Sequence, residues 1–175
     1  MLFRLILLLV AIIASPALGQ DRAAEDRAFD AAIATFEAAL PGLASSEMGV
    51  DVAAYRDALT LQQFSSSHWG DAIRLETEIR AEATGSCGRF AAFVRIPPEN
   101  GTVRLVFCPQ FFAEGADELR ALTVLHEMVH VVAGPDECRA MAFAARVEQA
   151  ARGRFTAVDR YWRASGCDES AFRLP

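Results

Sequence analysis

Hydrophobic residues recur at helical spacing along much of the chain. Within residues 21–40, Ala28, Phe36 and Leu40 fall on one side of a helix, with charged residues between them. Pro41-Gly42 then ends that helix. Similar apolar spacing predicts further helices over residues 50–59, 117–133, 135–152 and 156–164.

A β-hairpin is predicted between these helical regions. Residues 89–96 and 102–107 are rich in Val, Ile and Phe and flank the turn-forming sequence PPENG. Residues 71–84 are ambiguous, because their glutamates and alanines favour a helix while alternation favours a strand at Ile73, Leu75, Thr77 and Ile79. The pattern as a whole predicts an α+β fold that is mainly helical, with a short hairpin.

The first twenty residues have the layout of an export signal. Arg4 precedes an apolar run from Leu5 to Ala14, and small residues at 17–19 stand before Gln20. The run is too short to span a membrane, so a cleaved signal peptide over 1–19 is predicted. We therefore expect a secreted or periplasmic protein with no membrane attachment after cleavage.

Length and charge restrict the organisation and the partners. The remaining residues 20–175 are enough for a single domain with a core and too few for two ordinary domains. The net charge is −6, and the 17 basic residues, all arginines, are scattered. We therefore expect no nucleic-acid partner, and a monomer by default.

Four cysteines lie in the predicted mature chain, at 87, 108, 138 and 167. An even number in an exported chain favours two disulfides, for which three pairings exist. No C-x-x-C pair is present, which argues against a four-cysteine zinc site. Cys87 and Cys108 stand just outside the two hairpin strands and nearly equidistant from the turn, so we expect them to form one disulfide.

The sequence LHEMVH at 125–130 carries the strongest chemical pattern. On a helix His126 and His130 lie one above the other, so both imidazoles can reach a single ion. Glu127 beside them can take a proton from water at that ion. The surrounding residues are apolar, and burying these polar groups without partners would be costly. The pattern therefore predicts a Zn²⁺ site on helix 117–133, which Asp117 is expected to cap.

Two protein nitrogens do not complete a zinc site, so a third ligand is required. Gly134-Pro135 breaks the first helix, and a side chain in the first turn of the next one can point back at the histidines. Asp136 and Glu137 are the candidates, and the one that points away is expected to cap the helix. The remaining imidazole, His68 in SSSHWG, is expected to be an exposed loop residue.

Three stretches resemble a family of zincin metallopeptidases. LVFCPQFF (105–112) is similar to a family strand that ends in Cys-Pro followed by phenylalanines, LHEMVH matches the zinc helix, and AVDRYW (157–162) resembles a closing Ala-x-Asp-x-Tyr segment. Together they most resemble the aspzincins, the deuterolysin and peptidyl-lysine metallopeptidase group. The resemblance covers about residues 85–165 and implies a small zincin-like domain.

The resemblance also bears on the third ligand. In that family the aspartate of a Gly-Thr-x-Asp motif is the third zinc ligand. The aligned residues here are Gly134-Pro135-Asp136-Glu137. Proline replaces threonine, and a glutamate occupies the ligand position in the Glu-x-x-Ala context of the glutamate zincins. Glu137 is therefore favoured, whereas a metzincin-like spacing would select Asp136.

A second disulfide between Cys138 and Cys167 is consistent with the hairpin pairing. If Glu137 begins the second helix, Cys138 lies beside the metal site and Cys167 lies near the C-terminus. The bridge would tie the tail, including Tyr161, back over the site and stabilise the domain by about 2–4 kcal/mol.

These inferences lead to two hypotheses. The first is a zinc metalloendopeptidase acting on peptides or proteins, with Glu127 as general base and Tyr161 as a donor to the developing oxyanion. Strand 102–107 would offer the edge along which the substrate lies. The second is a secreted, non-catalytic zinc-binding module, although a closed structural site wants four protein ligands and does not need Glu127.

Overall fold

A computed structural model describes residues 16–70 and 72–175. The predicted signal peptide therefore lies mostly outside the described residues, and only its last four positions fall within the first helix. The helices are α1 (Pro16–Ala39), α2 (Val52–Leu59), α3 (Asp117–Ala133), α4 (Glu137–Arg152) and α5 (Asp159–Ala164). The strands are β1 (Ser46–Glu47), β2 (Val50–Asp51), β3 (Phe64–Ser65), β4 (Ala72–Ile79), β5 (Ala92–Glu99) and β6 (Thr102–Phe107). The α+β prediction is confirmed.

The helix ends follow from local hydrogen bonding. The Asp51 carboxylate accepts from the backbone N–H groups of Ala53 and Ala54 and so caps α2. The predicted cap of α3 is wrong, because Ala116 occupies the cap position and Asp117, the first helical residue, instead pairs with Arg120. The last predicted helix begins at Asp159, three residues later than expected.

The larger sheet has the strand order β3-β4-β6-β5. β5 and β6 form the predicted antiparallel hairpin, and the ambiguous segment 71–84 contributes β4, which runs parallel to β6. Asn100 and Gly101 occupy the turn with φ of 52° and 72°, values that Asn and Gly tolerate best. Alternation therefore outweighed the helix-favouring glutamates, because Ile73 and Leu75 face the core.

The main hydrophobic core lies between this sheet and the first four helices. In α1, Phe29, Ala32, Phe36 and Ala39 recur every three or four residues and are buried. Tyr55 of α2 is fully buried between Phe36 and Phe143, with ring centroids 4.8 Å from each. This packing fixes α3 in the interior of the molecule.

Two disulfides fasten the ends of the site-bearing elements. Cys87–Cys108 joins the segments that flank the hairpin, and Cys138–Cys167 joins the first turn of α4 to the segment after α5. Both predicted pairings are confirmed. No helix in the described part of the chain is long and apolar enough to cross a membrane.

Candidate metal centre

Helix α3 carries His126, Glu127 and His130 into a largely buried position. Glu127 is 7 % exposed and His130 is 6 % exposed. The Tyr55 hydroxyl donates to the Leu125 carbonyl at 2.7 Å, one residue before His126. This hydrogen bond holds the helix backbone in place next to the residues that carry the polar side chains.

The C-terminal end of α3 is capped by the loop that contains the third histidine. Ser66 Oγ donates to the Val132 carbonyl, and Trp69 Nε1 donates to the Val131 carbonyl, at 2.9 and 2.8 Å. These side chains satisfy carbonyls at a helix end that would otherwise be orphaned. His68 between them is exposed, as predicted, and does not belong to the metal-ligand group described below.

The turn between α3 and α4 brings Glu137, and not Asp136, to the histidines. The Asp136 carboxylate accepts from the backbone N–H of Arg139 at 2.9 Å and caps α4. Pro135 precedes this cap, so it lies outside the helix and not at its first position. Glu137, the first residue of α4, turns back towards α3 and joins His126 and His130 in a group whose ligand atoms all lie within 4.8 Å of one another.

The spacing of these atoms fits a single metal ion. His126 Nε2 lies 3.1 Å from His130 Nε2 and 3.2 Å from Glu137 Oε2, and His130 Nε2 lies 3.7 Å from Glu137 Oε1. A tetrahedral ion with ligands at about 2.0–2.1 Å separates neighbouring ligand atoms by roughly 3.3 Å. The group could therefore hold a metal ion without rearrangement of the backbone.

A carbonyl sets the tautomer of His130. His130 Nδ1 lies 3.0 Å from the Gly134 carbonyl oxygen, which can only accept, so Nδ1 carries the proton. The Nε2 lone pair of the neutral ring is then left facing His126 and Glu137. Metal-bound histidines are commonly oriented by such a second hydrogen bond.

The two glutamates experience opposite environments. Burial raises the pKa of Glu127, and the imidazoles of His126 and His130 lower it only in part. Burial raises the pKa of Glu137, but the imidazoles of His126 and His130, which donate to it and attract it when they are protonated, lower that pKa well below the usual range. Glu137 is thus held as a carboxylate against the imidazoles, whereas Glu127 lies close to them without serving as the third member of the group.

Tyr161 lies over the same group. Its hydroxyl donates to Glu137 Oε2 at 3.2 Å, and its ring centroid is 6.3 Å from that of His126. Burial, together with the Glu137 charge, raises the pKa of Tyr161 to about 12, so the phenol is protonated at neutral pH. The Cys138–Cys167 disulfide ties the segment after α5 to the turn of α4 that carries Glu137.

A cavity of about 440 Å³ opens at these side chains and is lined by residues of α3, α4 and β5. The predicted substrate edge on residues 102–107 is wrong, because β6 is paired on both sides and β5 is the edge strand beside the cavity. The Cys108 N–H donates to the Ala91 carbonyl, so by antiparallel alternation Ala92 and Val94 point their backbone groups away from β6. A backbone hydrogen bond from Val94 also lowers the pKa of Glu127.

Sequence reasoning missed the contributions of Gly134 and Val94. Gly134 follows His130 by four residues, and its carbonyl reaches the imidazole because the chain leaves the helix there with φ 88° and ψ −169°. A glycine at this position of the sequence predicts a helix end, but it gives no signal that its carbonyl contacts an imidazole. Val94 acts through its backbone, for which the sequence carries no residue-type signal.

Comparisons with known proteins show no relative: no family model, no curated protein and no solved structure matches this chain. The aspzincin resemblance of the three short stretches therefore stays a prediction.

Proposed function

We propose that this protein is a zinc-dependent peptidase that works outside the cytoplasm. One observation carries the proposal: the Nε2 atoms of His126 and His130 converge with the Glu137 carboxylate at the wall of a cavity that Glu127 also lines. A protein that only needed to bury these groups would have no use for an adjoining cavity.

Zinc suits the donor set better than Mg²⁺ or Ca²⁺ does. Two imidazole nitrogens and one carboxylate form a mixed nitrogen and oxygen set, whereas Mg²⁺ and Ca²⁺ take mainly oxygen. Catalytic zinc sites typically have three protein ligands and one position for water or substrate. The His126, His130 and Glu137 group has that number of donors in the described part of the chain.

The chain's own residues would divide the reaction between them. A zinc ion held by the group would polarise the scissile carbonyl and lower the pKa of the attacking water. Glu127 would take the proton from that water and pass it to the leaving amine. Tyr161, protonated at neutral pH, would donate to the oxyanion that develops on the carbonyl oxygen.

The edge strand β5 would hold the peptide. An extended substrate can pair with the outward-facing backbone groups of Ala92 and with the Val94 carbonyl, which lie along the cavity. Backbone pairing of this kind is independent of side chains and fits a peptidase that acts on unfolded segments of proteins.

The non-catalytic alternative is less well supported. A structural zinc site is closed by four protein ligands, but the described group has three and opens on a cavity. A clasp would also leave the buried Glu127 carboxylate without a purpose. The two disulfides support a secreted or periplasmic location.

Glu127→Gln tests the proposal. The amide keeps the size of the side chain but cannot accept the proton, so cleavage of casein should fall by about 10²- to 10⁴-fold while one zinc ion still binds per chain. Glu118→Gln is the matched control, because it makes the same change at an exposed position of the same helix. Normal cleavage by Glu127→Gln would contradict the assignment of the base.

A further inference from the structure

The cavity continues beyond the metal group, between α3 and α4. Only residues 134–136 connect the two helices, so they run back along each other. Leu122 lies one helical turn, about 6 Å, before His126, and Ala145 lies about 12 Å along α4 beyond Glu137. Both line the cavity on the same side of the metal group, which is here called its far end.

The far end is built by small or apolar side chains. On α4, Met141, Ala144 and Ala145 lie on the same helical face as Glu137 and are at most 3 % exposed. Leu122 and Thr123 of α3 and Val158 before α5 complete this wall. The two adjacent alanines leave the space that larger residues would fill.

Charge is nearly absent from this end. Apart from the metal group, Glu127 and Tyr161, Arg89 is the one ionisable side chain among the described residues that line the cavity. Arg89 is exposed, stands before β5 and is positive. A lysine or arginine side chain entering between α3 and α4 would meet no carboxylate there and would lose its hydration without compensation.

We propose that the space between α3 and α4 is the specificity pocket, and that it selects an uncharged, apolar side chain such as leucine, methionine or phenylalanine beside the scissile bond. Ala144 and Ala145 set its depth. This inference rests on the proposed peptidase function. It predicts a preference unlike the basic one that the name of the peptidyl-lysine group implies.

The first test maps cleavage sites. The zinc-loaded, oxidised protein is incubated with a peptide library, and the products are sequenced by mass spectrometry. Leucine, methionine and phenylalanine should be enriched at one position flanking the cleaved bond, and kcat/KM should be at least about tenfold higher for a leucine peptide than for its lysine counterpart. Cleavage without an apolar preference, or with a basic or acidic one, would overturn the inference and leave the peptidase proposal standing.

Binding provides a readout that does not need turnover. The zinc-loaded Glu127→Gln variant is titrated with the same leucine and lysine peptides, and the leucine peptide should bind at least about tenfold more tightly. Equal affinities would overturn the pocket assignment. Failure of every peptide both to bind and to be cleaved would overturn the pocket and the peptidase function together.

Two substitutions should change the preference in opposite directions. Ala145→Leu fills the pocket, so phenylalanine and leucine peptides should lose at least about tenfold in kcat/KM relative to an alanine peptide. Leu122→Ala, at a half-buried position that is safer for folding, enlarges the pocket and should favour phenylalanine over leucine. Leu119→Ala is the control, because Leu119 is 55 % exposed on the same helix. An unchanged preference in both pocket variants would overturn the inference.

Discussion

The Nδ1–H of His130 donates to the carbonyl oxygen of Gly134, 3.0 Å away and one helical turn later. The same glycine ends α3 with φ 88° and ψ −169°, a conformation that is essentially restricted to glycine. The imidazole of His68 lies where a side chain at this position would begin. This one residue thus ends the helix, orients the His130 imidazole and leaves space for the loop that caps α3.

Gly134→Ala should therefore weaken metal binding. A Cβ at this position would overlap the His68 ring, lying 2.6 Å from Cε1, and would strain the backbone. The Gly134 carbonyl would move away from His130 Nδ1, and zinc affinity should fall by about 10- to 100-fold. Competition with a chromophoric chelator measures the affinity.

Gly153→Ala separates backbone strain from this effect. Gly153 follows α4 with φ 69°, and nothing lies within 4 Å of its Cβ position. This variant should lose about 1–2 kcal/mol of unfolding free energy with unchanged zinc affinity. Adding His68→Ala to Gly134→Ala should recover part of the lost affinity, because the overlap is removed. Equal zinc affinities of Gly134→Ala and Gly153→Ala would contradict the orienting role of Gly134.

Tyr161→Phe should slow turnover without loss of metal. The variant lacks the hydroxyl that would donate a hydrogen bond to the oxyanion. Its kcat should therefore fall by about 10²-fold, with little change in KM or zinc content. Steady-state kinetics with a fluorogenic peptide, together with metal analysis, measure these quantities. A large rise in KM at constant kcat would indicate a role in substrate binding instead.

Tyr55→Phe removes the same hydroxyl from the chain's other tyrosine. Tyr55 is fully buried, and its hydroxyl donates to the Leu125 carbonyl. Removing the hydroxyl takes this hydrogen bond from the buried carbonyl and should lower the free energy of unfolding by about 1–3 kcal/mol. The kcat of Tyr55→Phe should stay near the wild-type value when it is measured at a temperature where Tyr55→Phe and Tyr161→Phe are both folded. Comparing the two variants therefore separates an effect on stability from an effect on turnover.

The two disulfides should contribute similarly to stability and differently to activity. Their sequence separations of 21 and 29 residues imply about 3–4 kcal/mol each. The double alanine variant of Cys138 and Cys167 should also lose kcat, because it releases the segment that carries Tyr161, whereas the Cys87 and Cys108 variant should keep it. Denaturant unfolding and kinetics under folded conditions test both. Equal losses of kcat would contradict the positioning of Tyr161 by the tail.

Much of this arrangement follows from local patterns in the sequence. The i, i+4 histidines and the apolar flanks located α3, and the spacing of cysteines around the hairpin located its disulfide. The prediction that residues 102–107 form a sheet edge failed because it depended on strand pairing between distant parts of the chain. The parallel pairing of β4 with β6 makes β6 central and leaves β5 as the edge, and no local pattern in residues 72–79 predicts a partner 28 residues away.

The choice between Asp136 and Glu137 was also beyond local patterns. Both are acidic and both lie at the start of α4, where the helix dipole favours a negative charge on either residue. The structure assigns the cap to Asp136 because its carboxylate reaches the Arg139 N–H, which leaves Glu137 to face the histidines. The different roles of Asp136 and Glu137 follow from the path of the backbone at the start of α4.

That difference allows the most direct test of the proposed zinc site. Zinc content is measured for the refolded wild-type chain, Glu137→Ala and Asp136→Ala, each alongside casein cleavage. We expect one zinc per chain in the wild type and in Asp136→Ala, the latter being less stable by about 1 kcal/mol through loss of its cap. Glu137→Ala should lose both zinc and cleavage. Retention of stoichiometric zinc by Glu137→Ala, or absence of zinc from the wild type, would contradict the proposed centre.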